Sequence, residues 1–171
     1  MFELNIPIED LRVDSRRPQL YLNGRVWITI DGYDFPEHGW FDSPLSFLGS
    51  LRAALGNARN GEEADFYFWE GSYFVKLVPI PATPDARHVE LFAVDDRGRG
   101  LDEGGSVETS CVCTLNDLDD QLRATLGQLS QWAHDHQESE LMEFLTRMTS
   151  APDMIDLGRS RVRTGSRGED A

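Results

Sequence analysis

Ala64-Asp-Phe-Tyr-Phe-Trp-Glu-Gly-Ser-Tyr-Phe-Val-Lys-Leu-Val-Pro-Ile80 reads as two strands joined at Glu70-Gly71. Aromatic and β-branched side chains favour extended backbone, and a glycine at the junction accepts the positive φ of a tight turn. Phe66, Tyr67, Phe68 and Trp69 are apolar or aromatic at every position, not every second one. That suits a central strand covered on each side, or a strand with one covered side and a binding face. Pro79, Pro81 and Pro84 end the run, because proline has no N–H to give to a ladder.

Upstream, Gln19-Leu-Tyr-Leu-Asn-Gly-Arg-Val-Trp-Ile-Thr-Ile30 predicts another hairpin. Asn23-Gly24 suits the two central positions of a type I′ turn, and Val26, Ile28 and Ile30 then share one face. Phe2, Leu4, Ile6 and Ile8 alternate as in a half-buried strand, and Pro7 puts that strand at an edge. Between the two hairpins, Ser43 reads as an N-cap and Pro44 as the first helical residue. Leu48, Leu51, Leu55 and Ala58 follow at helical spacing, and Asn60-Gly61 stops the helix.

Downstream, Arg87–Val94 reads as a strand. Asp95–Ser106 holds four glycines and four acids and reads as a mobile loop. Val107, Thr109, Cys111 and Cys113 alternate along a further strand. Asn116 reads as a cap, with Asp117, Asp119 and Asp120 in the first turn, where the helix dipole favours acids. Leu118, Leu122, Leu126, Leu129, Trp132 and Ala133 form an apolar stripe. Leu141, Phe144, Leu145 and Met148 continue it, in the same helix or after a break near Ser139, and Pro152 closes the pattern. The segment 157–171 has no apolar face and reads as a disordered tail, which leaves residues 1–156 as one domain. Strands, helix, strands, helix is the order of an α+β fold. The expectation is a largely antiparallel sheet of about 5–7 strands, one helix after the first strands, and a C-terminal helical segment packed on it.

The chain has 171 residues, and a domain of that size buries roughly 70% of its unfolded surface, so disulfides are not needed for stability. Its two cysteines are no secreted disulfide framework. The first twenty residues lack a basic start followed by an apolar run, and no window approaches the ~18 apolar residues of a membrane span. Cytoplasm is the expected compartment. Thirty Asp and Glu face sixteen Lys and Arg, a formal charge of −14. Arg159, Arg161, Arg163 and Arg167 gather at the end of the chain, so the body is more acidic still. Such a surface repels nucleic-acid phosphates and anionic membranes, and it speeds encounter with basic partners. The plainer reading is that the charge serves solubility alone.

Motifs that carry chemistry are sparse. Cys111-Val-Cys113 puts two thiols on one strand face, but no tight His or Cys pair accompanies them, and free cysteine also packs as a small hydrophobe. His134-Asp-His136 falls late in a helix, where residues two apart point in different directions. There is no Gly-x-Ser-x-Gly elbow, and Gly98-Arg-Gly100 lacks the lysine and hydroxyl of a phosphate loop. No catalytic residue, metal ligand or cofactor is expected, and the chain does not read as an enzyme.

Asp31-Gly-Tyr-Asp-Phe-Pro-Glu-His-Gly-Trp-Phe-Asp42 mixes four aromatics with four acids between a strand and a helix. Exposed aromatics beside charge are what protein interfaces use as anchors. The alternative is structural: Phe35-Pro36 and Trp40 fold back over the helix, while Asp34, Glu37 and Asp42 stay exposed or Asp42 joins Ser43 in capping. Ile28-Thr-Ile-Asp-Gly-Tyr-Asp-Phe-Pro36, then Trp40-Phe-Asp42, then a helix, then Phe66–Trp69 with Gly71-Ser-Tyr-Phe-Val75, resembles bacterial toxin-immunity-type proteins over roughly residues 26–80. The resemblance implies a stoichiometric inhibitor that occludes a toxin's active site, and the acidity suits a nuclease toxin with a basic cleft. Candidate partner-binding residues are Asp34, Glu37, Trp40, Asp42, Trp69 and Glu70, with Asp95, Asp96, Asp102 and Glu103 on the glycine-rich loop. Alternatives are a structural or assembly subunit, phage- or secretion-associated, and a small enzyme with an unrecognised pocket.

Overall fold

The computed structural model describes residues 1–14, 20–81, 87–97 and 105–150. Within them lie ten strands and three α-helices, and every strand pairing is antiparallel. The architecture is α+β, with one helix after the early strands and two at the C-terminal end. The strands divide over three sheets.

Two of those sheets are halves of one long meander. Its first arm is β1 (Phe2–Asn5), a 3-10 turn over Ile8–Asp10, and β2 (Arg12–Val13). The central arm is β3 (Leu22–Arg25) and β4 (Trp27–Ile30), and the third is β5 (Tyr33–Phe35) and β6 (Phe41–Asp42). β4 pairs with β1 and β5, and β3 with β2 and β6, so both sheets share one arm order. The ladder breaks at the middle on both sides, where residues 6–11 and 36–40 loop out. The Val26 N–H bridges the gap on one side, donating to the Trp40 carbonyl at 2.8 Å. β1 lies at an edge as expected, but it ends at Asn5, before Pro7, and Ile8 falls in the 3-10 turn instead of continuing the strand.

The turn expected at Asn23-Gly24 is absent. Both residues stay extended inside β3, and the chain reverses one step later at Asp31-Gly32, with φ of 49° and 86°. Asp-Gly has the same turn chemistry as Asn-Gly. What separates them is packing: a Cβ at Gly24 would lie 2.8 Å from Leu11 Cδ2, so this glycine is needed for close approach, not for a turn.

The helix α1 (Pro44–Arg59) starts as expected, with Ser43 at the N-cap and Pro44 first. Its stop is a Schellman closure: Gly61 takes φ 80°, its N–H donates to Ala58 O, and the Glu62 N–H donates to Asn57 O. The second meander runs β7 (Ala64–Tyr67), β8 (Tyr73–Pro79), β9 (His88–Asp95), β10 (Ser106–Thr114), each beside the next. β7 is therefore an edge strand: Phe66 and Phe68 are buried and Tyr67 and Trp69 exposed, which selects the reading with one covered side. β10 does not alternate as read. A bulge between Val107 and Thr109 shifts the register, so Val107 faces solvent while Cys111 is buried.

The helix α2 (Leu115–Asp135) begins two residues earlier than expected. Thr114, not Asn116, closes its end: the Asp117 N–H donates to Thr114 Oγ1 at 3.0 Å, and the Thr114 N–H donates to Asp117 Oδ2 at 3.3 Å. The helical pattern breaks at Gln137, φ 58°, and α3 (Ser139–Ser150) follows. The closing role read for Pro152 and the tail 157–171 lie outside the described residues.

The helix α1 packs on β3, β7 and β8, and α2 packs on α1, β1 and β10 with α3 beside it. Phe47 meets Phe66 edge-on, centroids 5.5 Å apart, and Phe68 at 4.7 Å. One partly buried ion cluster ties α1 to α2: Arg59 and Arg123 reach the Asp119 carboxylate at 2.7 and 2.6 Å. Burial would raise the Asp119 pKa, but the Arg123 and Arg59 guanidiniums outweigh it and hold the carboxyl below its ordinary value.

Two predictions follow from this packing. Gly24→Ala crowds buried Leu11 and lowers unfolding stability by about 1–3 kcal/mol, read as a lower urea midpoint with an unchanged slope. A lowered folded-state pKa contributes stability present above the unfolded value and lost as pH falls through the folded one. Asp119→Asn is therefore less stable than the parent at neutral pH. The gap closes as pH drops below the carboxylate range, in paired denaturation curves across pH.

Candidate interface built on a buried carboxylate

β6 covers Phe41–Asp42 directly after Trp40, and the side chains alternate along this extended stretch: Trp40 half inside, Phe41 out, Asp42 in. Asp42 was expected either at the surface or joining Ser43 at the start of the helix; only 1% of it is exposed, and it does meet the Ser43 N–H. Its carboxylate has a definite task. Oδ1 accepts from the Ser43 N–H at 2.5 Å and the Trp69 N–H at 3.1 Å. Oδ2 accepts from Trp40 Nε1 and from the Glu70 N–H, both at 3.2 Å. One anion thus joins the entrance of α1, the Trp40 indole and the turn between β7 and β8. Burial pushes its pKa up, and the four donors pull the other way.

The pinned turn is the centre of a larger assembly. Tyr73, first residue of β8, is buried with Phe35 at 5.6 Å and Trp40 at 5.1 Å, both edge-on. Arg97 covers the Tyr73 ring at 4.6 Å and grips Asp95 with Nε and Nη2. The Asp96 N–H donates to Ser72 O at 2.8 Å. Glu37 is close enough to act electrostatically on both Tyr73 and Arg97. Gly71, φ 82°, lies tight under Tyr73, where a Cβ would meet the ring at 2.8 Å.

Three loops named from sequence, 31–42, 69–70 and 95–96, therefore meet at one end of the protein. Within it the named residues divide. Glu37, Trp69, Glu70 and Asp96 are exposed. Asp34 is partly buried and occupied, accepting from Thr29 Oγ1 at 2.6 Å with His38 Nδ1 at 3.0 Å, and the Thr29 bond depresses its pKa against the pull of burial. Asp95 is held by Arg97. Trp40 is half-buried, and Asp42 is structural. Asp102 and Glu103 lie outside the described residues.

Three exposed aromatics were not among the candidates: Tyr33 is 45% exposed on β5, Phe41 is 60% exposed on β6, and Tyr67 projects from β7. Period-2 alternation applied to 40–42 would have found Phe41. The turn's Trp69 is 67% exposed although its backbone is fixed by Asp42. Acids are not confined to this end: Glu9 and Asp10 lie by the first arm, Asp117 and Asp120 at the start of α2, Glu140 and Glu143 on α3. What singles this end out is carboxylates beside exposed aromatic rings on a braced backbone.

The cysteine and histidine motifs weighed from sequence take packing and capping positions. Cys111 is buried and Cys113 half-buried, both as free thiols, and burial pushes the Cys113 pKa up to about 12, so it stays protonated at neutral pH. His136 caps α2 and stacks on Trp132, centroids 4.3 Å apart. Among the described residues no group of three or more His, Cys, Asp or Glu is placed to hold a metal ion, and no helix is long and apolar enough to cross a membrane. No family model, curated protein or solved structure matches this chain.

Asp42→Ala removes the acceptor of four donors, one buried and three part-buried, at about 1–3 kcal/mol for each donor left unmet by water. The expected result is a clear loss of unfolding stability with a red shift in native tryptophan emission, as Trp40 and Trp69 lose their fixed surroundings. Unchanged stability would show that the turn is held by other means.

Proposed function

We propose that this chain is a protein-binding module of the immunity type, and that the end built on Asp42 docks a basic partner, a toxin domain whose substrate cleft it occludes. One observation carries the reading: Trp69 and Phe41 project into solvent from backbone on either side of one buried carboxylate. Presenting large apolar rings from fixed positions lowers the ordering cost of binding, which is where affinity between proteins is mostly lost. Aromatic anchors ringed by polar groups are the usual energetic centre of an interface. Glu37, Glu70 and Asp96 supply the ring here, and the formal charge of −14 supplies steering toward a basic cleft. The resemblance over residues 26–80 includes the same Trp40-Phe-Asp42 and the same aromatic strand pair. Cytoplasm, where a producing cell needs protection, is the compartment this role implies.

A second reading, as an assembly subunit, has its own support. β10 is a nine-residue edge strand with Val107 and Val112 exposed. An edge of that length offers unpaired backbone groups to another chain, although the bulge beside Glu108 blunts it.

Titrating the purified chain against the product of the adjacent reading frame by surface plasmon resonance separates the two. The immunity reading expects a one-to-one complex whose on-rate falls with salt. Trp69→Ala and Phe41→Ala should each weaken it by at least about 2 kcal/mol, chiefly through faster dissociation. Glu37→Lys with Glu70→Lys should mainly slow association. A stable homo-oligomer in light scattering, with no response to the aromatic variants, would favour assembly instead.

A further inference from the structure

The second meander has two faces, and its strand register says which side chains share each. On one face α1 packs on β7 and β8 and α2 on β10, over buried Phe66, Val75, Leu91 and Cys111. The alternate residues turn the other way. Across the strands they run Tyr67 beside Phe74, then Asp65, Lys76 and Phe92, then Val78, Glu90 and Val112. That side is open to solvent: Tyr67 is 51% and Val112 55% exposed at its two margins, and the residues between them are partly exposed.

Most of this face is apolar, with the Tyr67 and Phe74 rings 6.0 Å apart. Monomeric proteins rarely leave a contiguous apolar patch of more than a few hundred Å² in water. Four strands about 4.8 Å apart and about seven residues long give a face of roughly 19 by 23 Å. Two such faces bury about 900 Å² before side-chain relief is added, close to the ~1,000 Å² at which stable interfaces begin. The charges fit a second copy of the same face. The body of the chain is strongly acidic, but here its single lysine, Lys76, stands between Asp65 and Glu90, so both signs are present. In a two-fold contact residue i meets j and j meets i. An axis placed between Lys76 and Glu90 therefore sets each lysine against the other copy's glutamate.

We propose that two copies of the chain dimerise through this open face of the second meander, with Lys76 of each copy paired to Glu90 of the other. The bodies of the two copies repel, at a formal −14 each, and salt screens that repulsion beyond about 8 Å. The dimer therefore tightens as salt rises, the opposite of association with a basic partner. Its surface is also distinct from the edge of β10, and a dimer keeps the ratio of one chain to one partner molecule.

The test is analytical ultracentrifugation of the full chain over a range of concentrations at low and moderate salt, with circular dichroism to confirm that each variant folds. The parent is a reversible dimer whose dissociation constant falls as salt rises. Val112→Glu on β10 and Tyr67→Glu on β7 each raise that constant about tenfold or more, because each buries an unpaired charge. Lys76→Glu alone and Glu90→Lys alone set like charges opposite each other and dimerise poorly. Mixed in equal amounts, the two reversals face opposite charges again and the dimer returns, which also shows that both variants are folded. The proposal is overturned by a parent that stays monomeric at about 0.1 mM, well above the micromolar range of modest interfaces. It is equally overturned by a dimer indifferent to Val112→Glu or to Tyr67→Glu, or by reversal variants that fail to restore each other. Assembly along the β10 edge would give the first of these patterns, since it ignores Tyr67→Glu at the far margin of the sheet.

Discussion

The turn between β7 and β8, the entrance of α1 and the third arm of the first meander are held by one carboxylate. Asp42 takes hydrogen bonds from three backbone N–H groups and an indole. A buried charge is costly, and it persists only where its lone pairs are all addressed. Here each oxygen has two donors. The alternative for those donors is worse: the buried Ser43 N–H at the helix entrance would lose its acceptor, and the part-buried Trp69 and Glu70 N–H groups would lose the bonds that fix the turn. Asp42 thus substitutes for the strand ladder that stops at Gly24 and for the capping oxygen that Ser43 does not supply, since the Ser43 hydroxyl contacts Ser46.

This junction also couples the two meanders. The first meander ends at Asp42, and the second turns at Trp69 and Glu70. Above them, Tyr73 sits among Phe35, Trp40 and Arg97, drawn from the first meander and from the end of β9. Loss of the carboxylate would therefore loosen more than one turn. A surface carried by such a junction is rigid for reasons internal to the fold, and this makes exposed Trp69 and Phe41 credible anchors instead of frayed loop residues.

Much of this was legible in the sequence. Period-2 and period-3.6 patterns set the α+β class, α1 from Pro44 to its stop at Gly61 and the β7–β8 hairpin, while the break near Ser139 was one of two readings left open. Local signals failed where two residues offered the same chemistry. Asn23-Gly24 and Asp31-Gly32 both suit a reversing turn, and only the closeness of Leu11 assigns the first to a strand. Thr114 and Asn116 both suit a cap, and the end of β10 decides for threonine. The bulge after Val107 leaves no mark in composition. For Asp42 the exposed reading failed, although an acid in an aromatic, glycine-containing stretch ordinarily stays in water, and the alternative beside Ser43 lay nearer the outcome. Two of its four donors come from residues 27 and 28 positions away, a separation that no local pattern reports.

The distribution of charge bears on how such a surface would work. Acids lie over the whole molecule, by the first arm, on α2 and on α3, as well as at the Asp42 end. A diffuse negative field attracts a basic protein from any side and raises the encounter rate, but it does not choose an orientation. Orientation and lifetime must come from contacts that exclude water, which carboxylates alone do poorly and aromatic rings do well. The division of labour is then physical: the field supplies approach, the rings supply the stop. In that division the acids nearest Trp69 matter for what they exclude. A partner that lacks complementary positive charge would leave Glu37, Glu70 and Asp96 desolvated and unpaired against the rings, and that cost, more than attraction, confines the surface to a basic cleft.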